Sequence, residues 1–343
     1  MESEKKKMIE NIGICGTGKQ AEKYILCLRR LRFNVTGIKG SASDRIGYLN
    51  QKYNVRDYAT VPELINAKSP DLLIIASKPG DHLRDVIDAT ENDIRYIIIE
   101  KPLTTSVSDA KEIKNAVLKR GTKVSVAYPL RYLKAYRTIK KTIDSKELGE
   151  LVYVGGNISF PRTIDPDIYP YKWWIDSELS GGGSIFQVGI HWINFIFSLI
   201  GYGYELKKGK IFKNKHDFED TLCGIWKKKK NSCYVELQMT SCIPMESISI
   251  VFGFEKGRVM FFGDYILKIK NCNELLERFP YVFQFMKRSY RRIRFRNVNY
   301  RESMTLQYLK IALNNPSLVF NNQSLEDSVH DIEKIYEINE FNR

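Results

Sequence analysis

The chain has 343 residues, 43% of them hydrophobic and 27% charged, which is ordinary for a folded globular protein and enough for two cores. No apolar run reaches the length of a membrane span, and the start MESEKKKMIE lacks the apolar core of a secretory signal, so the cytoplasm is the expected compartment. The net charge of +14 favours anionic partners, yet no nucleic-acid-binding motif accompanies it, and nucleic acid is not an expected partner.

Much of the surplus charge sits in two runs, Lys227 to Lys230 and Lys287 to Arg296. The first lies between strand-like segments and reads as a solvated hairpin tip. The six cysteines form no CxxC pair, and only four histidines exist, none clustered with cysteine. Reduced, packed thiols and no metal site are expected.

Residues 11–125 alternate strand and helix signals. Asn11 to Cys15 is a short apolar run that enters a glycine turn. Gln20 to Leu31 carries Ala21, Tyr24, Ile25, Leu28 and Leu31 at helical spacing. Asn34 to Ile38 reads as a second strand and Ser43 to Tyr53 as a second helix. Asp71 to Ala76 is continuously apolar, as suits a strand covered on both faces. His82 to Glu91 reads as helix, Arg95 to Ile99 as strand, Ser106 to Arg120 as helix, and Lys123 to Ala127 as the closing strand. This alternation predicts an α/β Rossmann domain with a doubly wound parallel sheet over residues 8–127.

Beyond about residue 150 the pattern changes. Leu151–Phe160, Phe218–Trp226, Cys233–Gln238, Ser247–Phe254, Arg258–Phe262 and Ile266–Ile269 are strand candidates joined by turn residues. They predict an α+β domain over 128–325 with a large open, mainly antiparallel sheet. Ser324 to Asn342 is amphipathic, and 326–343 is expected to be a C-terminal closing helix.

Two motifs carry chemistry. Gly16-x-Gly18-x-x-Ala21 follows a strand and opens a helix, as a dinucleotide-binding turn does: a tight turn, then a close backbone approach, then helix–strand packing. The acidic residue normally found at the end of the second strand is absent, and Lys39-Gly40-Ser41-Ala42-Ser43-Asp44-Arg45 stands there. Hydroxyls and two cations suit a 2′-phosphate, so NADP(H) is the expected cofactor, with NAD the alternative. Further on, Ile97-Ile98-Ile99 runs into Glu100-Lys101-Pro102, so a buried strand delivers an amine to its carboxyl end, where open parallel sheets bind ligands.

A second constellation is Ser180-Gly181-Gly182-Gly183 leading to Gln187 and His191. Four residues apart, Gln187 and His191 share a face of a helix. With Pro79-x-x-His82, Tyr128 with Arg131, Glu219-Asp220-Thr221 and the Phe254-Glu255-Lys256-Gly257 turn, these motifs resemble the glucose–fructose oxidoreductase / inositol dehydrogenase / rhizopine-catabolism family of NAD(P)-dependent enzymes over nearly the whole length.

The resemblance implies a Rossmann domain followed by an α/β domain whose open sheet often forms the oligomer interface, here a homodimer or homotetramer. It implies hydride transfer between nicotinamide and a sugar or cyclitol carbon. Lys101 would hydrogen-bond the reacting oxygen and His191 would give or take the proton. Gln187, Tyr128, Arg131, Asn194 and Trp174 would contact substrate. Gly16, Thr17, Gly18, Lys19, Gln20, Lys39, Ser41, Arg45, Ser77, Pro79, His82, Glu100, Lys101 and Pro102 would contact cofactor.

The resemblance also implies acidic residues, carried by many members of that family, at two positions that are Gln187 and Asn194 here. Hence two readings. The first is a sugar or nucleotide-sugar dehydrogenase or reductase, the charge surplus favouring a nucleotide sugar of surface polysaccharide synthesis. The second is a catalytically silent protein of the same fold that senses NADP and a sugar. The basic, aromatic segment 275–296 reads as an oligomer or domain contact, with membrane-surface contact as the lesser alternative.

Overall fold

The computed structural model of the chain describes residues 9–40, 43–160, 180–213, 218–228, 233–243, 246–263, 265–270 and 300–341. Ser41, Trp174, Lys229, Lys230, Cys272 and the segment 275–296 lie outside the described residues. The chain divides into two units, the first comprising residues 1–129, 176–181 and 299–332, the second 130–175, 182–298 and 333–343.

The first unit holds a six-stranded sheet. Its strands are β1 (Asn11–Cys15), β2 (Asn34–Lys39), β3 (Asp57–Tyr58), β4 (Leu72–Ile75), β5 (Tyr96–Ile99) and β6 (Lys123–Val126). They stand in the order β3-β2-β1-β4-β5-β6, and every pairing is parallel. The chain order reverses between β1 and β4, which makes the carboxyl ends of those two strands the switch point where such sheets bind ligands. The apolar run in β4 is buried along its length, as the sequence predicts for a strand covered on both faces.

Helices α1 (Lys19–Arg30), α2 (Ser43–Tyr53), α3 (Val61–Lys68), α4 (His82–Glu91) and α5 (Val107–Arg120) connect these strands. On α1, Ala21, Tyr24, Ile25 and Leu28 form the buried stripe. Fully burying each such large apolar side chain stabilises by roughly 1.5–3 kcal/mol before conformational entropy is subtracted. Helix α5 starts where the Ser106 hydroxyl accepts from Asp109 N–H and stops at Gly121, whose φ is 69°.

The expected domain boundary near residue 325 moves. Residues 299–332 belong to the first unit, because β6 ends the sheet and its outward amides need acceptors. Asn322 Oδ1 accepts from Val124 N–H at 2.7 Å, and Ser324 Oγ accepts from Val126 N–H at 2.9 Å. The Tyr308 hydroxyl, from a helix over Tyr300–Asn314 that packs on α1, donates to Ser125 Oγ at 2.8 Å.

The second unit holds a seven-stranded sheet. After α6 (Lys134–Ser145) come β7 (Leu151–Ser159), α7 (Ile190–Ile200), β8 (Tyr204–Lys213), β9 (Glu219–Lys228), β10 (Tyr234–Thr240), β11 (Ser247–Phe254), β12 (Gly257–Phe262) and β13 (Tyr265–Lys270). The order is β13-β12-β11-β7-β10-β9-β8; β7 and β10 are parallel and the other pairings antiparallel. The strands alternate: in β9, Leu222 and Trp226 are buried, while Ile225 is exposed. Helix α7 covers one face, where Phe195 stacks on Phe261 at 5.4 Å and Phe197 meets Trp226 edge-on at 5.5 Å. On the other face Tyr153, Ile225, Tyr234 and Phe262 are exposed. The final helix, α9 counted after the Tyr300–Asn314 helix as α8, spans Gln323–Phe341 and so begins within the first unit and ends in the second.

Candidate functional site

The first unit gathers its candidate residues at the carboxyl ends of β1, β2, β4 and β5. Gly16 takes φ 113°, and a Cβ there would collide with the Ala76 carbonyl, so only glycine turns the chain here. Its N–H donates to Lys39 O at 2.7 Å, which ties the turn to the end of β2. Gly18 caps α1 in extended conformation, and a Cβ on it would meet nothing within 4 Å. That open space beside the amides of a helix start suits a pyrophosphate, whose close approach a side chain would block. The Thr17 methyl fills the space where a Cβ on Gly40 would stand. The residues present therefore fit a dinucleotide.

Lys19 opens α1. One turn in, Gln20 Nε2 donates to Glu100 Oε1 at 2.7 Å, and the Tyr24 hydroxyl donates to the same oxygen at 2.5 Å. Burial, and then the Glu100 charge, push the Tyr24 phenol well above its usual range, so it stays a donor. These bonds fasten the Glu100-Lys101-Pro102 segment to the dinucleotide turn. The Lys101–Pro102 peptide is cis, and Lys101 is half-buried.

His82, the first residue of α4, is fully buried behind a short turn that begins at Pro79. Its Nδ1 lies 3.0 Å from Leu103 O and its Nε2 3.2 Å from Ser77 O. The ring bridges the segment after Lys101 and the segment after β4. Burial lowers its pKa, while the Leu103 carbonyl and the Asp85 charge oppose that. Burial, then Asp85, raise the Cys15 thiol well above its usual range, so it is an inert packed group.

The two cations expected to meet a 2′-phosphate are differently engaged. Lys39 Nζ lies 2.8 Å from Asp85 Oδ1, and Ser77 Oγ donates to Asp85 Oδ2 at 2.8 Å. Arg45 pairs with Glu22 and donates from Nε to Thr17 O at 3.1 Å. Glu22 also accepts from Tyr48, Lys52 and Tyr53. Burial would raise its pKa, but the bonds from Tyr53, Lys52, Tyr48 and Arg45 outweigh that and lower it to about 2. Lys39 and Arg45, expected to meet a 2′-phosphate, are thus each paired with a carboxylate.

The second unit arranges the other candidates around α7. Gly182 has φ 146°, and a Cβ on Gly183 would collide with the Glu219 carbonyl. The glycines therefore let this segment lie directly on β9. Residues Ile185–Gly189 then form a π turn before α7 begins. Gln187 lies within this turn and His191 just after it, at the start of α7. Gln187 is buried at 3% exposure, and its N–H donates to Gly183 O at 3.0 Å. His191, the second residue of α7, is half-buried. Three residues on, the buried Asn194 accepts at Oδ1 from Arg131 Nε at 2.8 Å. Tyr128 is buried at the end of the first unit. Among the described residues, no group of three or more His, Cys, Asp or Glu could hold a metal ion.

Two further residues matter here: Asp85, which the sequence reading passed over, and Tyr24, which it read only as part of a helical stripe. Asp85 had a visible signal: it lies on the face of α4 that also buries His82, Val86 and Ala89, and a buried carboxylate needs a cation or donors.

A parallel sheet with a glycine turn at its switch point, followed by a mixed open sheet, is the architecture of a two-part dinucleotide-binding protein. Residues 10–128 match the oxidoreductase family with NAD-binding Rossmann fold, and residues 136–258 match the GFO/IDH/MocA C-terminal domain. The chain belongs to the GFO/IDH/MocA family of oxidoreductases. It is similar to inositol 2-dehydrogenase of Salmonella paratyphi B, 28% identical over 204 residues that make up 57% of this chain and 56% of that protein. The chain therefore spans about half the length of the curated relative it matches. In fold it resembles the WlbA dehydrogenase of Bordetella pertussis, solved with NADH and UDP-GlcNAcA, at 17% identity, TM-score 0.80, and coverage of 97% of this chain and 95% of that one. It also resembles a levoglucosan dehydrogenase solved with NADH and levoglucosan, at 15% identity, TM-score 0.81, and coverage of 96% and 97%.

Proposed function

We propose that the chain transfers a hydride between a nicotinamide dinucleotide and a CH–OH carbon of a sugar or nucleotide sugar. One contact supports this above all: Gln20, in the first turn of α1, holds Glu100 at 2.7 Å, so the Lys101 segment is bound to the turn that cradles the pyrophosphate. When bound, the dinucleotide accepts or donates the hydride. The Lys101 ammonium donates a hydrogen bond to the reacting oxygen and stabilises the charge that develops on it. The His191 imidazole takes the hydroxyl proton during oxidation and returns it during reduction, a task suited to a group titrating near neutral pH. Gln187, Asn194, Arg131, Tyr128 and Trp174 orient the sugar.

The surplus of +14 and the nucleotide sugar bound by the WlbA dehydrogenase support a nucleotide-linked substrate, with surface polysaccharide synthesis as the setting. The exposed apolar side chains on one face of the seven-stranded sheet support a homodimer or homotetramer. A second reading, a silent sensor of dinucleotide and sugar, is favoured by how two amides are engaged: Gln187 is buried, and the buried Asn194 is bound by Arg131.

A panel of sugars and nucleotide sugars, followed by nicotinamide absorbance, separates the two. Turnover with at least one of them, lost in Lys101→Ala while dinucleotide binding persists, supports the enzyme. Saturable sugar binding with no redox change across the panel supports the sensor.

A further inference from the structure

At the end of β2, 21 residues past Gly18, the dinucleotide-binding pattern calls for an acid that binds the adenosine ribose. Lys39 stands there, its register fixed by pairing with Cys15 of β1 and by the bond from Gly16 N–H to its carbonyl. Read alone, a lysine at this point invites a 2′-phosphate. Its side chain tells otherwise.

The Lys39 amine is bound at 2.8 Å by a carboxylate, Asp85, with 0% exposure. The Ser77 hydroxyl fixes the other carboxylate oxygen at 2.8 Å. A fully buried carboxylate cannot turn to water, so it keeps its cation. The other charges here leave no surplus: Asp88 is an acid, and Arg84 Nε lies 3.9 Å from Asp85 Oδ1 with its side chain 65% exposed. Arg45, the other expected clamp, pairs with Glu22. A 2′-phosphate dianion would bring further negative charge toward a buried carboxylate and compete for an ammonium already taken. A ribose diol would meet the two remaining N–H donors of Lys39 without that penalty.

We propose that Asp85 selects the cofactor: by holding Lys39 it converts the end of β2 into a neutral ribose site, and the chain takes NADH in preference to NADPH. Asp85 is a positioning residue that acts through Lys39. This rests on the nicotinamide reading above and deepens it.

Titration of the full chain with NADH and with NADPH, read by cofactor fluorescence or calorimetry, tests it. Wild type binds NADH more tightly than NADPH by about tenfold or more. Asp85→Asn releases Lys39 to the 2′-phosphate and shifts the affinity ratio toward NADPH by roughly 10- to 100-fold, the worth of one charge-assisted hydrogen bond. Asp85→Glu keeps the wild-type preference. A defect that were only structural would weaken both nucleotides alike and leave the ratio where it was, which would overturn the proposal. If Asp85→Asn does not fold, the wild-type ratio decides: tighter NADPH binding overturns the selection by Asp85 alone. Binding of neither nucleotide overturns the underlying nicotinamide reading as well.

Discussion

The Tyr24 hydroxyl donates to Glu100 Oε1 at 2.5 Å, across 76 residues of sequence, and thereby joins the first helix to the segment that carries Lys101. Gln20 supplies the second donor to the same oxygen. Tyr24→Phe leaves a half-buried carboxylate with one of these two bonds, and it should cost about 1–3 kcal/mol of stability. It should also weaken dinucleotide binding, since Glu100 loses a fixed orientation beside the phosphate turn. Urea unfolding and cofactor titration of the variant measure the two effects separately. Unchanged values in both would show that the contact has no energetic role.

Glu22 ties α1 to Arg45, Tyr48, Lys52 and Tyr53, and its pKa is lowered from the usual 4.5 to about 2. The native state therefore binds fewer protons than the unfolded chain between those values. The stabilisation is complete above about 4.5 and is lost as pH falls through about 2. Glu22→Gln should be less stable than wild type at neutral pH, and the gap should close on acidification over that interval. Thermal unfolding of both proteins as a function of pH gives the comparison.

His82 is buried, with its pKa lowered from the usual 6.5. Burial disfavours the imidazolium, so the unfolded chain takes up a proton that the native chain resists. Native stability from this group is fully present above 6.5 and is lost as pH falls below it, through the folded-state value. His82→Gln should lose about 1–3 kcal/mol through an unmade bond to Leu103 O or Ser77 O, and should lower dinucleotide affinity by loosening both segments. Amide exchange at residues 77 and 103 would report the loosening directly.

Gln187 lies in the π turn that precedes His191. A carboxylate at that position would favour the imidazolium of His191. Gln187→Asp should move the pH dependence of kcat/KM for oxidation to higher pH without abolishing turnover. An unmoved profile would show that position 187 does not couple to the proton transfer.

Much of this architecture is legible in the residues themselves. Strands β4 and β5 announce themselves as buried apolar runs, and the glycine at position 16 is set by a collision any side chain there would suffer. Other elements hide for physical reasons. Strand β8 is an edge, and its lysines at 207, 208, 210 and 213 blunt it against further pairing, so no alternation marks it. The short helix α3 and the cationic α6 fall where turn residues and lysines dilute the apolar period. Lys39 and Asp85 are 46 residues apart, and neither shows by itself that the other neutralises it. The return of residues 299–332 to the first unit is likewise a tertiary fact, made by single side-chain bonds from Asn322 and Ser324 to the edge of β6.

The most direct test of the catalytic account is the turnover of Lys101→Ala, set beside its dinucleotide affinity. With that ammonium gone, the oxygen that accumulates charge has lost its donor, while the phosphate turn at Gly16 and Gly18 is untouched. Turnover of the best sugar substrate should fall by about 10²–10³-fold with dinucleotide affinity held close to wild type. Turnover at the wild-type rate would contradict the account.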